Sequence, residues 1–373
     1  MNSSKQHTKK ICHVTSVHKW NDIRIFQKEC RSLVKIGFDV HFLVANSEFE
    51  GIEDGVKIVK CDIGQLSRIN RILKASRLMR NSALSINADI YHLHDPELIP
   101  LGKVLTQNGK KVIFDSHEDT SADILEKDLF PWLLKRLASL IYSYYEKTTV
   151  LKFAGLISVT ETITHSFNHP HSETIKNYPV LEFFTDIRCS YNSENKKYVM
   201  YAGGLTRVRG IKEIIQAMRF IPEYTLILAG AFDSNDYFQE CKALDEWKQV
   251  EFVGYVPLKK VYEYLATASL GFTMLYPTEG HVNSLPIKTF EYMAAGIPVL
   301  MTDMPYWREM FKDYGFYANA YDFEDIGTRA RQILDSDNIQ LIERAKTLVY
   351  ETFDWNNEAE KLNKFYHLIL SNS

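Results

Sequence analysis

Short apolar runs alternate with amphipathic stretches along the whole chain. Ile11 to Val17, Asp39 to Ala45, Val56 to Cys61, Ile90 to His94, Lys111 to Ser116, Leu156 to Thr160 and Thr174 to Tyr178 read as buried strands. The spacing between them predicts helices, among them Asp22 to Ile36, ending near Gly37, and Glu97 to Leu105. Strands this uniformly apolar, each followed by a helix, imply a parallel sheet covered on both faces. Residues 181–197 are polar and aperiodic and read as a linker. The alternation then restarts with Tyr198 to Ala202, Thr225 to Ala229, Val250 to Val253, Leu270 to Met274, Pro298 to Met301 and Gly315 to Ala318. We expect an α/β chain of two tandem doubly wound, Rossmann-like parallel-sheet domains, 1–185 and 186–355, facing a central cleft. The last amphipathic stretch, 356–373, is expected to pack back on the first domain.

Open α/β sheets bind ligands at the carboxyl ends of their strands, so the strand exits are where chemistry is sought. After Leu270 to Leu275 comes Glu279 to Val299, with helix signals inside it. Asn283 or Ser284 suits the cap, Pro286 the first helical position, and Gly296 the end. Free N–H groups at such a start favour an anion. Glu291 falls near the second turn, where its carboxylate could hold a diol. As a plain helix-dipole carboxylate it would contribute only about 0.3–1 kcal/mol.

After Tyr198 to Ala202 comes Gly203-Gly204-Leu205-Thr206-Arg207-Val208-Arg209-Gly210-Ile211-Lys212. Paired glycines let backbone approach a phosphate, and the cations add charge-assisted bonds. An ordinary strand-to-helix turn would look similar. In the first half, Asp115, Ser116, His117 and Glu118 end one strand, and His92 to Glu97 leave another. His92 and His94 invite a metal reading. Their side chains are expected on opposite faces, which rejects metal and leaves His94 and Asp95 on an acceptor side. Asn21, Asp22 and Arg24 leave the first strand, where Asp22 reads equally as a helix cap.

The 373 residues suffice for two ordinary cores. A net charge of −3 argues against nucleic acid. Five scattered cysteines without paired spacing point away from a disulfide framework or zinc site and toward a reducing compartment. No signal peptide or bilayer-length apolar run is visible, so a cytoplasmic protein is expected, with peripheral attachment to the cytoplasmic face of the inner membrane as an option. Two stretches carry that option. Arg68, Arg71, Lys74, Arg77 and Arg80 recur every third residue, and 129–145 mixes aromatics, leucines and cations. A solvated basic face and a core helix are the plainer readings.

The run Asn283 to Pro286, then Lys288 and Phe290-Glu291-Tyr292-Met293-Ala294-Ala295-Gly296-Ile297-Pro298-Val299, resembles the donor-binding signature of family 4 retaining glycosyltransferases, which have the GT-B fold. The resemblance implies that Glu291 holds the ribose of a UDP- or GDP-linked sugar. It places Asn283 where the family has a second glutamate at the transferred sugar. In the phosphate loop Arg209 takes the family's Lys position, and Gly204 falls where an Arg is usual, with Arg207 or Lys212 as replacements. Gly254 and Tyr255 match the turn that cups the base. Ser284, Leu285 and Pro286 sit at the helix start. His117 matches a histidine that orients the reacting centre, and Glu118 would polarise beside it. The first strand exit resembles a subgroup associated with bacterial surface polysaccharides, which implies capsule, O-antigen or exopolysaccharide synthesis on a glycan or polyprenyl-linked acceptor. The donor is a co-substrate, so no cofactor is expected, and no metal.

Two other readings remain open. An epimerase of the same architecture would move protons with His117 and Glu118, the only suitable pair. A degenerate transferase acting as a binding or scaffold protein would explain Asn283 and Gly204. A nicotinamide oxidoreductase is disfavoured because no Gly-x-Gly-x-x-Gly follows the first strand.

Overall fold

The computed structural model describes residues 8–117, 132–184, 197–278, 280–282 and 284–371. Glu118 and Asn283 therefore lie outside the described residues, as do Cys189, Glu279 and most of the expected linker. The chain divides into two compact units, 1–177 with 355–373, and 178–354.

The first unit is built on β1 (Lys10–Thr15), β2 (Asp39–Ala45), β3 (Gly51–Glu53), β4 (Val56–Cys61), β5 (Ile90–Leu93), β6 (Lys111–Ser116), β7 (Gly155–Ser158) and β8 (Ser172–Thr174). They order as β3-β4-β2-β1-β5-β6-β7-β8. All neighbours are parallel except β3, which pairs antiparallel with β4. β3 is absent from the sequence expectation because it is short and Ile52 is 71% exposed, so no apolar run marks it. The signal that does exist is Asp54-Gly55, both at positive φ (48° and 80°), as a two-residue hairpin turn requires.

The second unit uses β9 (Tyr198–Ala202), β10 (Thr225–Ala229), β11 (Val250–Gly254), β12 (Ala268–Thr273), β13 (Val299–Thr302) and β14 (Phe316–Ala318). Their order is β11-β10-β9-β12-β13-β14, parallel throughout. Successive strand residues point to opposite faces, and here both faces are covered. Val199 and Tyr201 join one core with Leu226, Leu228 and Phe272, and Met200 joins the other with Ile227, Val299 and Met301.

Both sheets thus follow the doubly wound order, reversing between β1 and β5 in the first and between β9 and β12 in the second. Ligands of such sheets bind beside the reversal. The division between units falls before Tyr178 because Tyr178, Leu181 and Phe184 are buried in the second unit's core. The terminal helix Trp355–Ser371 belongs to the first unit, where Phe365 packs on Gly155 and Trp355 Nε1 donates to Ser32 Oγ at 2.9 Å.

Candidate functional site

In the second unit, three adjacent strands end in glycine: Gly203 after β9, Gly230 after β10, and Gly254 closing β11. All have positive φ (134°, 151° and 66°). Gly203 N donates to Ala229 O at 2.9 Å, and Gly230 N to Gly254 O at 2.8 Å. A Cβ on Gly230 would fall against the Gly203 carbonyl, so main chain meets main chain there. Glycine is the residue that permits both the dihedral and the approach.

Two cations converge on this loop. A Cβ placed on Gly203 would lie 3.0 Å from Lys288 Nζ and 3.3 Å from Arg209 Nη1, and one on Gly204 would lie 3.2 Å from Arg209 Nη1. Lys288 Nζ also sits 3.7 Å from the centroid of the Tyr201 ring, whose hydroxyl donates to Gly204 O at 3.1 Å. Burial first, and Arg209 second, push the Lys288 amine well below the ordinary lysine value, with Glu291 opposing.

Lys288 and Glu291 are three apart on helix Ile287–Ala294, hence on one flank. Tyr262 Oη donates to Glu291 Oε1 at 3.5 Å, and burial together with that carboxylate raises the Tyr262 hydroxyl's pKa. The helix start differs from expectation. Pro286 is the flanking residue (φ −73°, ψ 120°), and its own side chain makes no capping bond. Ser284 instead donates from Oγ to His281 O at 2.9 Å, while its carbonyl accepts from Trp307 Nε1 at 2.7 Å. Leu285 is half-buried against the core, and Pro286 is half-buried too. The first-turn N–H groups therefore receive no acceptor from the flanking residue itself.

Arg207 and Lys212 are not brought to the glycines. Both pair with Glu240, Lys212 Nζ at 2.8 Å and Arg207 Nη1 at 3.0 Å, and they hold its carboxyl down to about 2. Gly254 faces open space, and Tyr255 beside it is 79% exposed.

The exits of the first unit are closed by contrast. Asp95 is buried and accepts from Thr15 Oγ1 (2.8 Å) and Ser16 N (2.6 Å). Asp22 caps the next helix, accepting from Arg24 N (2.8 Å) and Ile25 N (2.9 Å), and lies 3.2 Å from His18 Nδ1. Arg24 is buried, bonds Asp115 with Nε and Nη2, and sits 3.0 Å from Glu29 Oε1. Asn21 is exposed. His117 Nε2 lies 2.9 Å from Asp115 Oδ2 and 3.3 Å from His94 Nδ1.

The expected separation of His92 and His94 is corrected. Residues two apart in a strand share a face, and the two rings lie 4.5 Å apart between centroids, both buried. His94 thus faces His13, His92 and His117 rather than an acceptor surface.

Residues 183–353 match the family model of glycosyl transferases group 1. That match covers nearly the whole of the second unit. O-antigen chain mannosyltransferase B of Escherichia coli is 27% identical over 180 residues, 46% of each chain. The chain spans about half the length of the curated relatives it matches. Sucrose-phosphate synthase of Thermosynechococcus elongatus superposes with a TM-score of 0.77 at 16% identity, covering 98% of this chain and 100% of that one. HepE of Anabaena, in complex with UDP and glucose, does so at 0.69 and 13%, covering 96% and 99%. The fold is that of these GT-B proteins. In the transferase unit, sequence reasoning left two residues out of the site. Lys288 was legible as the helical neighbour of Glu291, whereas Gly230 carried no signal beyond ending a strand.

Proposed function

We propose that the chain is a retaining glycosyltransferase that moves a sugar from a UDP- or GDP-linked donor to a glycan or lipid-linked acceptor. The observation that carries this is the convergence of Arg209 and Lys288 on the Gly203–Gly204 backbone, three residues along the helix from Glu291. A nucleoside diphosphate needs these groups: cations and backbone N–H for the leaving phosphates, and a carboxylate for the ribose diol. Lys288 supplies the cation that Gly204 lacks. In this reading the donor's leaving phosphate takes the acceptor's proton on the same face, so no side chain acts as nucleophile. His117, held by Asp115, orients the reacting sugar, and Glu118 polarises beside it. HepE's complex with UDP and glucose and the mannosyltransferase relative support a sugar-nucleotide donor.

The acceptor side is read as lying at an anionic membrane surface. Helix Arg68–Ile86 exposes Lys74, Arg77 and Arg80 together with Ile69, Ile72 and Leu73. Helix Trp132–Val150 exposes Leu137, Leu140, Ile141 and Tyr144, and both helices pack on Ile99–Gln107. Cations interleaved with exposed apolar side chains suit peripheral binding. No helix among the described residues is long and apolar enough to cross a membrane.

Calorimetric titration with UDP and with GDP, in EDTA, tests the donor half. Saturable binding of one, lost in Arg209→Ala, is expected. Binding of neither would replace the transferase by a scaffold, and product analysis that found an epimerised donor without transfer would replace it by an epimerase.

A further inference from the structure

The first unit holds four ligand-type side chains that the proposed reaction leaves unused. His13 on β1, His92 on β5, His94 just beyond it and Glu29 on the following helix are all buried, at 0–2% exposure. Their ligating atoms all lie within 4.8 Å of one another. His13 Nδ1 and His94 Nε2 are 2.9 Å apart. Glu29 Oε2 lies 3.8 Å from His13 Nδ1 and 3.9 Å from His94 Nε2, and His92, whose Nδ1 is taken by Tyr366, offers Nε2. Four ligands at about 2.0–2.1 Å from a tetrahedral ion stand about 3.3 Å from each other, and these separations bracket that edge.

We infer that His13, Glu29, His92 and His94 form a tetrahedral site for one divalent transition-metal ion, with zinc the ion its three imidazoles and one carboxylate favour. Four further observations support it. Neither Glu29 oxygen, nor His92 Nε2, receives or makes a hydrogen bond among the described residues, although sealed from water. Unsatisfied buried polar atoms are costly, and an ion at the centre would engage the Glu29 carboxylate. Charge points the same way: Arg24 is one cation between two buried carboxylates, Glu29 and Asp115.

The backbone is also bent to the purpose. Ile23–Cys30 is wound as a π-helix, with Gln27 N donating to Asp22 O. That winding, with its i to i+5 hydrogen bonds, stacks Arg24 above Glu29 where an α-helix would separate them. Outer partners are in place as well. Tyr366 Oη is 2.7 Å from His92 Nδ1 and 3.4 Å from His13 Nε2, and Asp115 Oδ2 is 3.5 Å from His94 Nδ1. Such groups fix the orientation of ligating imidazoles.

All four positions of the ion are filled by protein, as in structural rather than catalytic zinc sites. The ion would tie β1, β5 and the π-wound helix together. It would sit behind His117, which shares Asp115 and His94 with the cluster.

The test uses the full chain, tag removed. Metal content is measured by mass spectrometry on protein purified without chelator. The stripped protein is then titrated with Co(II) alone and read in the visible spectrum. One zinc per chain, and one Co(II) with the intense d–d bands of a tetrahedral N/O site, are expected. Glu29→Gln and His92→Gln should abolish those bands, and Tyr366→Phe should weaken Co(II) binding about 10–100-fold. Should the ligand variants fail to fold, the wild-type titration decides alone. A folded wild-type chain that purifies without metal and gives no tetrahedral Co(II) spectrum overturns the site. Bands that survive unchanged in both ligand variants overturn it equally.

Discussion

The two units share a strand order and a reversal point, yet their strand ends are furnished in opposite ways. In the second unit the exits of β9, β10 and β11 are glycines, beside two cations and a helix start flanked by Pro286. In the first, the exits of β1, β5 and β6 carry His13, Asp95, His94, Asp115 and His117, which bond mainly to one another. One end gathers backbone glycines and two basic side chains. The other turns its polar side chains toward one another and leaves Glu29 and His92 Nε2 to the inferred ion. A shared fold fixes where chemistry can happen, and the residues at the strand ends decide whether that place is a socket or a lock.

The contrast can be broken at four points. Gly230→Ala should have the largest effect, because the new methyl meets the Gly203 carbonyl and the φ is unfavourable. A loss of about 4 kcal/mol or more is expected, the range of severe backbone lesions, and thermal unfolding would show it. An unchanged melting temperature would mean that the glycine contact is not what shapes the socket. Arg24→Met should cost about 3–5 kcal/mol, since it strands Asp115 and Glu29 as buried carboxylates. Denaturant titration of the full chain reads this, and a neutral result would show the lock to be looser than its geometry.

Arg209→Ala should weaken nucleoside diphosphate binding by about 1.5–3 kcal/mol, the range for a hydrogen bond to a charged group, with stability unchanged. Lys288→Ala should do the same, whereas Arg207→Ala, already committed to Glu240, should not. Equal losses for Arg207 and Arg209 would contradict the division of labour. Asp22→Asn comes last, roughly 2 kcal/mol and only within a pH window, because asparagine keeps the cap and loses only the charge. Burial raises the Asp22 carboxyl, but His18 and the Ile25 N–H outweigh it and bring it to about 2, from 3.8. That contribution is complete above 3.8 and disappears as pH falls through about 2. His18 is raised above 6.5 despite burial, chiefly by Asp22, so its share is complete below 6.5 and is lost as pH rises through the raised value. The variant's deficit should therefore peak between about pH 4 and 6.5, and a flat pH profile would remove the pair.

How legible all this was in the sequence depends on the kind of pattern. The strands announced themselves because parallel strands buried on both faces are continuous apolar runs, and β9 and β10 lie at the residues expected. The socket was half legible. Gly203, Gly204, Arg209 and Glu291 follow from loop and helix chemistry. Lys288 was legible only as the helical neighbour of Glu291; its approach to Gly203, far away in sequence, was not. Arg207 looked equivalent to Arg209 until Glu240, on another helix, was seen to claim it. The lock was least legible. His92 and His94 share a face by simple strand geometry, but His13 and Glu29 join them only through the pairing of β1 with β5 and the π-winding of a helix whose periodicity reads as α. A one-residue change in helical pitch leaves almost no trace in a hydrophobic pattern.

The contact between Gly203 and Gly230 has a consequence for evolution as well as for binding. A socket whose walls are peptide groups is completed when the sheet forms, so the ordering entropy is met during folding and little remains to be lost when a ligand arrives. Its shape also does not depend on which side chains surround it. On the proposed reading, an exposed neighbour such as Tyr255 can vary without moving the main chain that would seat the phosphates.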